Sequence, residues 1–310
     1  MVIVVQKTFK TIDEQIEILR NKGLVIDDEY EVKDTLLREN YFFLSGYRHP
    51  FLGNENSKRF KIGTNFRELY ALFNFDRQLR NIIFKNLLII ENNMKSIFSY
   101  QLSKNYGFRE KDYLKPTNFN TSNEKVRQVN DLLRKIKRQI RINGGQHSAT
   151  THYIYNYGYV PLWVAIKVLS FGIVCELFAI MKKCDQDAIA EMFGLEVQEM
   201  STFLPILANY RNLCAHEDIL YDHRTATMIP TNMYHTELEL KMKSGEYIQG
   251  KNDLFALIII LKFMLRDADF RLMLQEIDYE KSILEGKLNI IKVDDILMKM
   301  GFPMNYMALL

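Results

Sequence analysis

The sequence predicts an all-α protein. The strongest signal lies between Asn65 and Lys104, where apolar residues recur at spacings of three and four, as expected of one long helix that packs along its length. A second signal is the capping box formed by Thr11 and Glu14, which starts a helix ending at Gly23. Similar patterns recur along the rest of the chain, so we expect a helical bundle.

The other elements are predicted from periodic apolar residues and from the turn-forming residues between them. Gly144, Gly145 and the polar stretch to Thr151 predict the clearest flexible break in the chain, and segment 222–248 is expected to be irregular or to form a short hairpin. The remaining predicted helices span residues 31–38, 124–142, 161–183, 185–193, 197–216, 251–276 and 292–300.

Three regions follow from these elements. We expect an N-terminal helical and aromatic segment over residues 1–60, a helical core over residues 61–220 that includes the helix near 124–142, and an irregular segment with C-terminal helices over residues 221–310. With 310 residues, of which 47% are hydrophobic, the chain is long enough to bury a substantial core in one large or two modest domains.

Composition limits the possible partners and the compartment. The 41 Lys and Arg residues nearly balance 38 Asp and Glu residues, so any affinity for nucleic acid must come from clustered charge. Cys175, Cys184 and Cys214 lie in predicted helices, which fits a structural role in a reducing compartment. We therefore expect a cytoplasmic protein.

Neither a targeting signal nor a membrane span is expected. The apolar run within Met1–Lys7 is too short for a signal peptide and no basic region precedes it. The longest apolar stretch, 160–181, contains Lys167 and Glu176, which a buried helix explains better than a bilayer span. The same charges count against a membrane-perturbing toxin built on this stretch.

The candidate functional residues are Arg211, Asn212 and His216. On a helical wheel they lie opposite an apolar arc of about 120°, and the small residues Ala208 and Ala215 leave room for a substrate beside them. The apolar arc consists of Phe203, Ile206, Leu207, Tyr210, Leu213 and Cys214.

Two other interpretations of these residues stay open at this point. An Arg, an Asn and a His opposite the core are also compatible with an ordinary solvated helix face. A metal site could use Cys214, His216 and His223, but neither a CxxC nor an HxxxH pair is present. We therefore expect no metal and no other cofactor.

The predicted helix near 124–142 is strongly basic. Its charges could bind an RNA phosphate backbone, or they could simply be the solvated side of a helix whose other face is apolar. Both interpretations have equal support from the pattern. The cations are Lys125, Arg127, Arg134, Lys135, Lys137, Arg138 and Arg141.

The segment from Asn209 to His216 resembles the RNxxxH motif of HEPN ribonucleases, and specifically that of the Abi-like abortive-infection proteins of the AbiD/AbiF type. Further similarities occur in the same order as in that family. They comprise Asn40–Tyr47, Phe75–Arg80, Ile90–Glu91, Tyr157–Trp163, Leu169–Gly172 and Met300–Pro303.

The resemblance implies a HEPN-like helical bundle with additional N- and C-terminal helices and a metal-independent endoribonuclease activity. Such an enzyme would act as a toxin in phage defence by abortive infection or in a toxin–antitoxin system. His216 would exchange protons with the RNA, Arg211 would hold the phosphoryl oxygens, and Asn212 would orient the imidazole or the RNA. Cleavage by the neighbouring 2′-hydroxyl would leave a 2′,3′-cyclic phosphate.

The resemblance also implies partners. HEPN domains typically pair two motifs across a cleft, so a homodimer is expected to supply the second copy of Arg211 and His216. Some relatives are associated with a small structured non-coding RNA, which the basic helix could dock. A rival function is a non-catalytic RNA-binding regulator on the same fold, although a pure binder has no need for the imidazole.

One position departs from the family pattern. The Glu of the Ile90–Glu91 element is usually followed four residues later by Arg, whereas this chain has Lys95, which keeps the charge but loses the guanidinium fork. Glu91 could therefore support the site around Arg211, or it could be a helical partner of Lys95. The spacing slightly favours the second interpretation.

Overall fold

The computed structural model describes residues 8–53 and 58–310, and it confirms the all-α prediction. The predictions made for Met1–Lys7 lie outside these residues. The α-helices in chain order are α1 (Ile12–Asn21), α2 (Glu29–Glu39), α3 (Tyr41–Ser45), α4 (Phe66–Tyr106), α5 (Glu110–Tyr113), α6 (Val126–Gly144), α7 (Ser148–Tyr157), α8 (Leu162–Ala165), α9 (Phe171–Ile180), α10 (Lys183–Glu191), α11 (Val197–Ala215), α12 (Met233–Glu237), α13 (Leu254–Met264), α14 (Asp267–Glu285) and α15 (Val293–Lys299). Short 3₁₀ helices cover Gly46–Phe51, Pro116–Asn118, Ile166–Val168 and Tyr306–Leu309.

Helix α4 is the central element. Its N-terminus is capped by the Asn65 side chain, which accepts the Arg67 amide at 2.9 Å, and it ends at Gly107, whose φ of 87° no other residue adopts readily. Helices α8, α10, α11 and α14 all pack against it. Its fully buried residues repeat at three and four and form one continuous ridge, which consists of Leu72, Asp76, Leu79, Ile83, Leu87, Ile90, Met94 and Phe98.

Helix α11 packs between α4 and α9. It begins with a capping box in which Glu196 and Glu199 each accept the backbone amide of the other. All members of the apolar arc from Phe203 to Cys214 are buried, as the helical wheel predicts. The face that carries Asn212 is consequently directed away from the core.

Two predicted helices are interrupted. The segment 161–183 divides into α8, a 3₁₀ turn and α9 because Leu169 and Ser170 adopt extended backbone angles. The segment 251–276 divides at Leu265 and Arg266 for the same reason, and α14 then continues to Glu285. Apolar periodicity identified both segments as buried helix but carries no information about a break without glycine.

The prediction of a flexible break from Gly144 to Thr151 is wrong. Helix α6 includes Gly144, and α7 begins at Ser148. A Cβ at Gly144 would lie 2.9 Å from Cγ2 of Thr150, which is itself fully buried. The glycine thus allows α7 to pack closely against the end of α6, and the turn between the helices is short.

The C-terminal region contains the predicted hairpin. Strands β1 (Met242–Lys243) and β2 (Glu246–Tyr247) pair antiparallel with Met242 opposite Tyr247. Helix α14 of the same region packs along α4. The division of the chain into three regions stays a prediction. Among the described residues, no helix is long and apolar enough to cross a bilayer.

Candidate active site

The chain reverses direction immediately after His216. His216 caps α11, Glu217 takes a left-handed φ of 57°, and the Asp218 amide donates back to the Leu213 carbonyl at 3.1 Å. This arrangement is a Schellman motif with a residue other than glycine at the left-handed position. Such a conformation costs about 1 kcal/mol, so contacts elsewhere must hold the loop.

Asp76 of α4 provides those contacts. Its fully buried carboxylate accepts the backbone amides of Leu220 at 3.1 Å and Tyr221 at 2.7 Å, and the Tyr47 hydroxyl at 2.7 Å. It also forms a buried ion pair with Arg80. One carboxylate therefore joins the loop after His216, helix α4 and the N-terminal 3₁₀ helix.

Burial and the hydrogen-bonding partners of Asp76 act on its pKa in opposite directions. Burial raises the pKa of the Asp76 carboxyl, while the Arg80 guanidinium, the Tyr47 hydroxyl and the two amides act in the opposite direction. Burial and the Asp76 charge raise the pKa of Tyr47, which stays a hydrogen-bond donor. Burial raises the pKa of the Cys214 thiol to about 12, so this cysteine remains protonated.

Arg211 is oriented by a second buried acid on α4. Its Nε donates to Oε2 of Glu91 at 3.2 Å, and Oε1 of Glu91 accepts from Lys95 at 2.8 Å. The guanidinium also lies 5.7 Å from the ring centroid of Phe84. The two roles considered for Glu91 are therefore compatible, because one carboxylate serves both cations.

The terminal nitrogens of Arg211 and the side chains of Asn212 and His216 remain available. None of them has a hydrogen-bond partner among residues 8–53 and 58–310, and Asn212 and His216 are exposed. Ala215 is exposed and Ala208 is partly buried. The end of α11 thus presents one oriented cation and two polar side chains to solvent.

Asn209 and His223 form a contact that the sequence analysis missed. Nε2 of His223 lies 2.7 Å from Oδ1 of Asn209, and its ring lies edge-on to Tyr210. Burial and the nearby Arg224 lower the pKa of His223, which favours the neutral imidazole. The pair holds the loop against α11. The sequence offered no signal for this contact, because the two residues are 14 apart and His223 lies outside any helix.

The structure does not assemble the alternative metal site. Cys214 points into the core, whereas His216 is exposed and His223 pairs with Asn209. Within the described part of the chain, no group of three or more His, Cys, Asp or Glu side chains is arranged to hold a metal ion.

Comparison with known protein families identifies the chain. The model of the Abi-like protein family matches residues 34–222, which is more than half of the chain. The chain belongs to the Abi-like protein family. The matched region runs from α2 to the loop after His216 and includes Asp76, Glu91 and Arg211. Comparisons with curated proteins and with solved structures find no match.

A cavity of about 700 Å³ borders this loop in the Abi-like chain. Glu217, Asp218 and Ile219 form one side of it, and the N-terminal aromatic segment forms the other. A Cβ at Gly46 would lie 2.3 Å from Cδ1 of Ile219, so glycine allows the two segments to approach closely. The residues that line the cavity include Arg38, Phe42, Phe43, Arg48, His49 and Arg77.

The basic helix α6 lies on another part of the fold, packed against α9. Its apolar face is buried, as predicted, and Lys135 pairs with Glu176 of α9 at 2.8 Å while Arg134 pairs with Asp131. Lys125 donates to Gln128. Among the described residues, five of the predicted cations have no ion pair, namely Lys125, Arg127, Lys137, Arg138 and Arg141.

Proposed function

We propose that this Abi-like protein is a metal-independent endoribonuclease that acts as a toxin in a bacterial abortive-infection or toxin–antitoxin system. Family membership supports a role related to abortive infection. The resemblance of Asn209–His216 to the RNxxxH motif supports the nuclease activity. The AbiD/AbiF subtype and the HEPN-like bundle are part of the same proposal.

The observation that carries the proposal is that Arg211 is held in place by a buried ion pair while the His216 imidazole is exposed at the end of the same helix. The buried Glu91–Lys95 pair holds Nε of Arg211, and both terminal nitrogens, which have no partner among the described residues, can bind a phosphoryl group. His216 ends the same helix with an exposed imidazole. An ordinary solvated helix face would not need a buried carboxylate to orient its arginine.

The chemistry follows from these groups. The 2′-oxygen of a ribose attacks the adjacent phosphorus and gives its proton to an imidazole, the bond from phosphorus to the 5′-oxygen breaks, and the departing oxygen takes a proton from an imidazolium. Arg211 neutralises the charge that grows on the phosphoryl oxygens. Asn212 hydrogen-bonds the imidazole or the RNA. The products are a 2′,3′-cyclic phosphate and a 5′-hydroxyl.

One imidazole cannot be base and acid in the same step. We therefore propose a homodimer in which the exposed end of α11 faces its counterpart, so that each copy contributes one His216 and one Arg211 to a shared cleft. The unpaired cations of α6 would dock a small structured RNA that restrains the toxin. A non-catalytic RNA-binding regulator would use the same basic face but would leave RNA intact.

The first prediction concerns the products. Purified protein incubated with RNA in excess EDTA is expected to release fragments that carry 2′,3′-cyclic phosphates and 5′-hydroxyls, because side chains supply both the protons and the charge stabilisation. End-specific ligation and sequencing will identify these termini. Cleavage that stops in EDTA and returns with Mg²⁺, or fragments with 5′-phosphates, would contradict the proposal, and intact RNA would favour the regulator.

The second prediction concerns Glu91. Glu91→Gln removes the charge that orients Arg211, so RNA cleavage is expected to fall about 10- to 100-fold as the guanidinium loses its fixed position. The matched control is Glu276→Gln, which breaks the exposed inter-helix pair with Lys85 and should not alter cleavage. Equal cleavage by both variants and wild type would show that Glu91 does not position Arg211.

A further inference from the structure

A continuous row of aromatic rings lies on the surface near α7 and α8. We call Phe108, Tyr153, Tyr157, Tyr159 and Trp163 the aromatic patch. Neighbouring ring centroids in the order 153, 157, 159, 108 and 163 are 5.2, 6.4, 5.7 and 5.6 Å apart. Tyr157 is 57% exposed and Trp163 is 45% exposed, although large aromatic side chains usually bury most of their surface.

The guanidinium of Arg109 lies over this row. Cζ of Arg109 is 4.9 Å from the Tyr159 ring and 5.8 Å from the Phe108 ring. Arg109 forms no ion pair among residues 8–53 and 58–310. Its nearest acidic neighbour in sequence, Glu110, accepts the Val160 amide at 2.9 Å. The patch therefore combines flat apolar surfaces with a cation that has no ion-pair partner in the part of the chain that the structure describes.

A basic groove follows the aromatic patch along the chain. Phe108 and Arg109 lead directly into α5, which lines a groove of about 480 Å³ together with the C-terminal half of α6. The Leu162 amide donates to the Phe108 carbonyl at 3.1 Å, which fixes the patch relative to α5. The cations of the groove are Lys111, Lys115, Lys137 and Arg141, of which Lys115 pairs with Asp112 at 3.3 Å.

We infer that the aromatic patch binds unpaired RNA nucleotides, whose bases stack on its rings while their phosphates lie in the basic groove. Aromatic rings beside a positively charged groove are the features by which proteins hold single strands without reading their sequence. An apolar protein partner would gain nothing from the unpaired cations beside the rings. The inference deepens the proposed function, because it gives the nuclease a second contact with RNA away from His216.

Trp163 makes the inference directly measurable, because it is the single tryptophan of the chain. The probe is a single-stranded 2′-O-methyl oligonucleotide, which lacks the attacking hydroxyl and cannot be cleaved by the proposed mechanism. We expect it to quench Trp163 fluorescence as bases stack on the indole. A duplex of the same sequence should quench much less, and heparin, a polyanion without bases, should not quench.

Variants test the contact independently of fluorescence. Phe108→Ala and Tyr157→Ala are each expected to weaken binding of the labelled oligonucleotide at least about fivefold, measured by fluorescence anisotropy. Tyr279→Ala, which removes an aromatic residue of similar exposure on α14, is the control and should leave affinity unchanged. Thermal denaturation of each variant will show that it is folded.

Several outcomes would overturn the inference. They are equal quenching by heparin, unchanged affinity in both patch variants, and patch variants that change only the oligomeric state, which would make the patch an interface between copies. If the patch does not bind the oligonucleotide but the protein still cleaves ordinary RNA, only the inference about the patch is wrong and the proposed nuclease activity is retained. Quenching and binding without any cleavage would instead support the patch and contradict the nuclease.

Discussion

Replacing His216 by alanine is expected to abolish growth arrest in bacteria that express the protein and to lower RNA cleavage by about 10²- to 10⁴-fold, because proton transfer loses its side chain. Arg211→Ala should lower cleavage by about 10²- to 10³-fold through the loss of charge stabilisation. Since His216 is exposed and Arg211 is partly exposed, neither substitution should unfold the protein. Initial cleavage rates on a defined RNA will measure both effects.

The controls separate loss of chemistry from loss of fold. Arg271→Ala removes an exposed arginine from α14 and should leave both toxicity and cleavage unchanged. All variants should unfold at nearly the same temperature. Wild-type toxicity and cleavage in both His216→Ala and Arg211→Ala would exclude these residues as the catalytic groups.

Mixed dimers extend the same experiment to the proposed shared cleft. Two differently tagged copies, one wild type and one His216→Ala, can be expressed together and purified by both tags. If the cleft needs both imidazoles, the mixed dimer should lose most of the wild-type cleavage rate. Retention of half the wild-type rate would indicate two independent sites and would contradict the shared cleft.

Local patterns were sufficient to predict α4 and the exposed face of α11. Both depend on the repetition of apolar residues at three and four, and the residues of that pattern from Leu72 to Ile90 and from Phe203 to Cys214 are buried, whereas Ile97 is only partly buried. The breaks at Leu169 and Leu265 were not predictable in this way, because they depend on how neighbouring helices pack.

Sequence patterns could not predict which residues support the site. Glu91 is 120 residues from Arg211, and Asp76 is 145 residues from Tyr221. The spacing of Glu91 and Lys95 predicts only a contact along one helix. Both acids contact the α11 region because α4 and α11 pack side by side, which places the supporting acids beside the motif.

The buried Asp76 network is expected to be the most sensitive point of the fold. Asp76→Ala should lower the free energy of unfolding by about 3–5 kcal/mol, since removing one partner leaves a buried charge uncompensated. Arg80 would lose its ion pair, and the Leu220 and Tyr221 amides would lose their acceptor. Urea denaturation followed by circular dichroism will measure the change.

The chain contains a closely matched control for this prediction. Asp34 and Arg38 form an ion pair with the same residue types and the same spacing of four, but 47% and 73% of their side-chain surfaces are exposed. Asp34→Ala should therefore change the free energy of unfolding by no more than about 0.5 kcal/mol. Similar small losses in both variants would show that Asp76 does not hold the loop after His216. A large loss confined to Asp76→Ala would show that the buried network of this carboxylate, which includes the amides of the loop after His216, stabilises the fold.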